Sequence, residues 1–133
     1  MAEPFLHLTL ISQEAALLRF ARVPGLASVA RDIVVVHSSD LHVDDDPSEP
    51  TYGDDGTTGL RVVLAAAQQH NADFVLLVGD IFDNNRQSEA ILARTRGLLA
   101  DAGRQVVILP GNHDPVTPDS VYLRGRIGDL PNV

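Results

Sequence analysis

Three short apolar runs frame this chain: residues 33–36 (IVVV), 74–78 (FVLLV) and 106–109 (VVIL). Each is continuous rather than alternating, rich in β-branched side chains and bounded by polar or turn residues, the pattern of strands covered on both faces. Between them the period changes. From about residue 60 to 70, Leu60, Val63, Leu64 and Ala67 recur at helical spacing, and from about 88 to 102 Ile91, Leu92, Leu98 and Leu99 do the same. Ser88 stands where an N-cap belongs, three residues before Ile91, and Gly103 is a natural stop. Strand, helix, strand, helix, strand predicts an α/β fold, a parallel sheet joined by right-handed crossovers. Ahead of it, residues 12–21 read as one short helical candidate. Residues 1–30 are expected to be an N-terminal extension, and 31–133 the domain.

Composition narrows the chemistry. A chain of 133 residues is one domain by length, enough to bury about two thirds of its unfolded surface. It has no cysteine, which excludes disulfide staples, thiolate zinc sites, iron–sulfur clusters and cysteine nucleophiles. The formal net charge is −8 and every basic residue is an arginine. Such a balance gives no general electrostatic footprint for nucleic acid, although a cation bound among clustered carboxylates would cancel part of it. No apolar run approaches the roughly 18 residues of a spanning helix. The first thirty residues lack a basic start, and Glu14, Arg19 and Arg22 interrupt any apolar core of a secretory signal. A cytoplasmic location with no membrane contact is therefore expected. Residues 44–58 hold five aspartates, a glutamate, two prolines and two glycines, loop composition that reads as an exposed, mobile connection.

The polar residues are not scattered. Asp40 and His42 follow the first run, Asp80 and Asp83 the second, and Asn112, His113 and Asp114 the third. In open parallel sheets the carboxyl ends of the strands form the crevice where ligands bind, so three clusters far apart in sequence converge in space. Carboxylate, imidazole and amide oxygen make a donor set for Mn, Fe, Zn or Co. Asp40 and His42, spaced i and i+2 on an extended loop, can turn toward one cation. Asp80 has two oxygens and can bridge two metals about 3.5–4 Å apart, and Asn112 can add a neutral oxygen to the second. Gly79 and Gly111, each directly before a ligand candidate, permit the turn that swings the next side chain inward. Taken singly each motif has a bland reading as a polar loop or turn; the ordered conjunction carries the metal site. His37, at a strand end, reads as structural, and His7 and His70 as surface residues. Asp44, Asp45 and Asp46 lack the glycine and terminal glutamate of an EF-hand loop and read as a solvated run.

Asp-x-His, Gly-Asp-x-x-Asp and Gly-Asn-His-Asp, in this order on successive strands, resemble the first half of the calcineurin-like metallophosphoesterase superfamily. The match spans about residues 32–115. Its wording, HSSDLH, GDIFD and LPGNHD, is most similar to the branch of bacterial DNA-repair exonuclease subunits and small phosphodiesterases. The resemblance implies hydrolysis of phosphomonoesters or phosphodiesters at a dinuclear centre, with Mn expected and Fe or Zn as alternatives. It implies that Asp40 and His42 bind the first metal, that Asp80 bridges and that Asn112 binds the second. His113 would face the scissile phosphate and protonate the leaving oxygen, held in orientation by Asp83, while Asp114 would be structural. A water activated by the two cations would attack phosphorus in line. The substrate is expected to be a small phosphoester or nucleotide rather than long nucleic acid.

The family completes its metal sites with Gly-His and Gly-His-x-His motifs on a second sheet, and no histidine follows His113. The expectation is therefore a truncated βαβαβ half of a four-layer α/β/β/α sandwich. It would bind metal weakly, turn over slowly, and expose a sheet face and edge through which copies self-associate. The alternative is a non-catalytic remnant keeping the fold as a binding module. A Rossmann-type nucleotide site is excluded, because no Gly-x-Gly-x-x-Gly loop follows the first strand.

Overall fold

The computed structural model describes residues 6–10, 16–20, 32–44 and 55–133, the first two segments by their backbone. Five strands form one sheet in the order β1-β2-β3-β4-β5: β1 (Leu6–Leu10), β2 (Ala16–Phe20), β3 (Ile33–Ser38), β4 (Phe74–Val78) and β5 (Gln105–Leu109). β3, β4 and β5 run parallel, in the register Val36↔Val75↔Val106. The crossovers are α1 (Thr58–Gln69) and α2 (Glu89–Ala100). This is the predicted βαβαβ unit.

Within the helical candidate at 12–21, the described residues form a strand rather than a helix. Ala16–Phe20 is β2, antiparallel to β3 through pairs such as Leu17↔Val36, and β1 pairs antiparallel with it in turn. A short apolar run cannot be assigned from periodicity alone. The deciding term is tertiary: β3 has a row of backbone donors and acceptors on its outer side, and a neighbouring strand satisfies them. Residues before 31 thus add two strands to the same sheet.

One sheet face holds the core. Val36, Val75, Leu77 and Val106 pack there with Leu60, Val63, Leu64 and Ala67 of α1 and Ile91, Leu92 and Leu99 of α2. Each large side chain so buried contributes about 1.5–3 kcal/mol. The opposite face behaves differently at β5, where Val107 and Leu109 are 42% and 52% exposed. The apolar run predicted cover on both faces; among the described residues β5 is covered on one, which leaves open the sheet face that a half-sandwich predicts.

The helix ends follow local chemistry. Ser88 caps α2, its side chain accepting from the Ile91 amide at 3.3 Å. Ahead of α1, Thr57 donates both its hydroxyl (2.5 Å) and its amide (3.2 Å) to Asp55 Oδ1. Asp55 Oδ2 pairs with Arg61 of α1 at 2.9 Å and Arg94 of α2 at 3.5 Å. The acidic loop therefore returns to the body through an anchored aspartate, and Thr57 is fully buried. The rest of that loop, 45–54, with Asp45 and Asp46, lies outside the described residues. After β5 come a short helix, α3 (Val121–Arg124), and a 3₁₀ turn at Ile127–Asp129. The Asn132 carbonyl then accepts from Val106 of β5 at 2.7 Å.

Candidate metal centre

The loops after β3 and β4 stay together beyond the regular sheet. Asp40 N donates to Gly79 O (3.0 Å), His42 N to Asp80 O (3.0 Å), Val43 N to Ile81 O (2.8 Å), and Asp83 N back to Val43 O (3.1 Å). Gly79 N donates to Leu109 O at 2.8 Å, tying in the end of β5. These bonds hold an irregular backbone. Asp40, His42 and Asp80 have φ of 54°, 46° and 52°, and Gly79 has 76°. The left-handed region costs a non-glycine residue about 1–2 kcal/mol, and such strain gathers where a site needs side chains aimed against the local preference.

The strain has a visible product. One donor atom each from Asp40, His42 and Asp80 lies within 4.8 Å of the others. Asp80 is buried, 8% exposed, and Asp40 is exposed. The His42 ring stands between groups, Nε2 4.0 Å from Asp40 Oδ1 and Nδ1 3.1 Å from Asp83 Oδ1. His113 lies beside it, ring centroids 5.1 Å apart and edge to face. The His113 amide donates to Asp80 Oδ1 at 2.9 Å, and its Nδ1 is 3.0 Å from the main-chain oxygen of Asp83. His42, Asp83 and His113 likewise bring one donor atom each within 4.8 Å of one another. Two carboxylates and an imidazole at this separation are donors that a borderline divalent cation takes.

Asp114 fixes the third loop to the second. Its side chain is fully buried, and Oδ2 accepts from the amides of Ile81 (2.8 Å) and Phe82 (3.0 Å) and from the Tyr122 hydroxyl (2.5 Å). Oδ1 accepts from Gly111 N at 2.6 Å. Burial and the Asp114 contact together push the Tyr122 hydroxyl far above its ordinary pKa, so it remains a donor. The Tyr122 ring meets Phe82 edge to face at 5.8 Å. Asp114 therefore positions the loops carrying Asp80 and His113 from beneath.

This geometry coincides with a family match. The model of the calcineurin-like phosphoesterase domain matches residues 33–132. The chain belongs to that family. Among similar proteins, "Uncharacterized metallophosphoesterase YhaO" of Bacillus subtilis is 29% identical over 99 residues, 62% of this chain and 23% of its own length. "Double-strand break repair protein MRE11" of Encephalitozoon cuniculi is 38% identical over 65 residues, 49% of this chain and 12% of its own. The MRE11 of Coprinopsis cinerea is 32% identical over 69 residues, 52% and 9%. The chain thus spans less than a quarter of the length of these curated relatives. They agree with the resemblance to the DNA-repair and phosphodiesterase branch.

Of the residues singled out in the sequence, the structure gathers Asp40, His42, Asp80, Asp83 and His113 at one rim. Asn112 is exposed in the same turn as His113. The expected side-chain pairing of Asp83 with His113 is not the one observed: the Asp83 carboxylate meets His42, and His113 meets the Asp83 carbonyl. His37 is a β3 residue in register with Leu76, His70 is the C-cap of α1, and His7 lies in β1, where side chains are outside the description. Asp55 and Tyr122 were not legible as tertiary partners. Asp55 lay in a run of similar aspartates, and Tyr122 acts through a residue eight positions away. No helix among the described residues is long and apolar enough to cross a membrane.

Proposed function

We propose that this chain carries the catalytic rim of a metal-dependent phosphoesterase that hydrolyses phosphomonoester or phosphodiester bonds at a dinuclear centre. The observation that carries the reading is the convergence of Asp40, His42 and Asp80 within 4.8 Å, each on a backbone held at positive φ. In this reading Asp40 and His42 hold one cation, Asp80 faces both, and Asn112 offers its amide oxygen to the second. The cations supply Lewis acidity and an activated water. His113 stands at the rim as the group that protonates the leaving oxygen, its backbone fixed on Asp80 and its ring on the Asp83 carbonyl.

Mn²⁺ is the first ion to try, because the oxygen-rich set suits it, with Fe and Zn next. Two relatives carry double-strand break repair in their names. For this chain a net charge of −8 supports a compact phosphoester or nucleotide rather than a length of duplex lying across the rim.

The test is hydrolysis of p-nitrophenyl phosphate and bis-p-nitrophenyl phosphate with added Mn²⁺, comparing the unaltered chain with Asp80→Asn and His113→Gln. Metal-dependent turnover that both substitutions cut by at least tenfold supports the assignment. Turnover that survives Asp80→Asn contradicts it.

A further inference from the structure

The geometry points to Asp83 as the positioning residue of His42, through its carboxylate, in addition to holding His113 through its carbonyl. The inference rests on the reading that Asp40, His42 and Asp80 hold a cation, and it assigns the two halves of one residue to two different imidazoles.

The argument is one of donors and acceptors. A main-chain carbonyl only accepts, so the 3.0 Å contact between Asp83 O and His113 Nδ1 places a proton on His113 Nδ1. An ionised carboxylate also only accepts, so Asp83 Oδ1 at 3.1 Å places a proton on His42 Nδ1. The lone pair of His42 is then on Nε2, the nitrogen on the Asp40 side of the ring. A ligating histidine needs that nitrogen free and the ring unable to flip, and a carboxylate behind the other nitrogen provides both. The Asp83 carboxylate is itself braced, its Oδ2 accepting from Asn84 Nδ2 at 3.1 Å. The cluster of His42, Asp83 and His113 is thus better described as the back of the Asp40–His42–Asp80 site than as a second cation site, since the hydrogen bonds occupy the Nδ1 atoms of both rings.

Separation of the two roles makes this testable. Asp83→Ala removes the carboxylate and keeps the carbonyl, so the His113 contact survives, and Asp83→Asn restores an acceptor oxygen without the charge. The Asp83 side chain is 41% exposed, so neither change opens the core. The first measurement is the tautomer of His42 in the metal-free chain by ¹⁵N NMR: Nδ1–H in the unaltered protein, loss of that preference in Asp83→Ala, and partial return in Asp83→Asn. The second is Mn²⁺ affinity by titration, expected to fall about 10–100-fold in Asp83→Ala and less in Asp83→Asn. If the unaltered chain binds Mn²⁺, Asp80→Asn abolishes binding and Asp83→Ala matches the unaltered chain within twofold, the Asp83 role is overturned while the metal reading stands. An affinity that falls with His113→Gln but not with Asp40→Asn would make Asp83 a ligand and also overturn it. If no variant nor the unaltered chain binds Mn²⁺, the metal reading fails, and the tautomer comparison alone decides the Asp83 contact.

Discussion

Gly111 lies so close against Asp80 that a β-carbon at position 111 would stand 2.1 Å from Asp80 Oδ1 and 2.3 Å from the Asp80 backbone nitrogen. The second contact is backbone, so the clash cannot be relieved by a rotamer change.

Gly111→Ala is therefore expected to push the GNHD turn away from β4, costing about 1–3 kcal/mol as overpacking does. Because Asp80 itself is displaced, cation affinity should fall by more than the stability loss alone explains. Urea unfolding and Mn²⁺ titration on the same sample check this. An alanine variant with unaltered affinity would mean that Asp80 is not held by the close approach at 111.

Asp114 gives the second prediction. Four donors converge on this buried carboxylate, and an amide in its place turns its NH₂ toward one set of them. Asp114→Asn should destabilise the fold by about 3 kcal/mol, and Tyr122→Phe, which removes a single hydroxyl bond to a charged group, by about 1.5–3 kcal/mol. Chemical denaturation measures both. If Asp114→Asn unfolds within 0.5 kcal/mol of the unaltered chain (about the effect of a surface substitution), the staple between the two loops is not real.

Asp55 sets an acid limit on stability. The Thr57 hydroxyl first, then Arg61, hold its carboxyl at about 2 against an ordinary 3.8. Since the folded value is the lower one, the stabilisation is fully present above 3.8 and is lost as pH falls through about 2. Its size is modest, because the group is partly solvated and the pairs are screened. Thermal unfolding as a function of pH should show Asp55→Asn less stable than the unaltered chain near neutrality, with the two curves converging between about pH 4 and pH 2. Parallel curves through that window would remove Asp55 from the account.

The parallel unit and the rim were legible because each rests on local pattern. Val75 and Leu77, or Ile91 and Leu92, announce their elements through runs and periods, and strand ends in a parallel sheet converge by topology. The helical reading of residues 12–21 fails at Ala16–Phe20 because so short a stretch carries no decisive period, and the open edge of β3 decides its state. The partner of Asp83 was misassigned for a related reason. Spacing says that a carboxylate is near two imidazoles, while the choice between them depends on left-handed backbone turns at Asp40, His42 and Asp80, which residue spacing does not encode. The fixing of Asp114 by Tyr122 and the return of the acidic loop through Asp55 depend on tertiary contacts that leave no periodic trace.

The account stands on cation binding among Asp40, His42 and Asp80, and anomalous X-ray scattering at the manganese edge from crystals soaked in Mn²⁺ reads that position directly. The predicted result is an anomalous peak within coordination distance of an Asp40 oxygen, His42 Nε2 and an Asp80 oxygen, absent from Asp80→Asn crystals treated alike. No peak among these three side chains at millimolar Mn²⁺, or a peak that persists in Asp80→Asn, would contradict it.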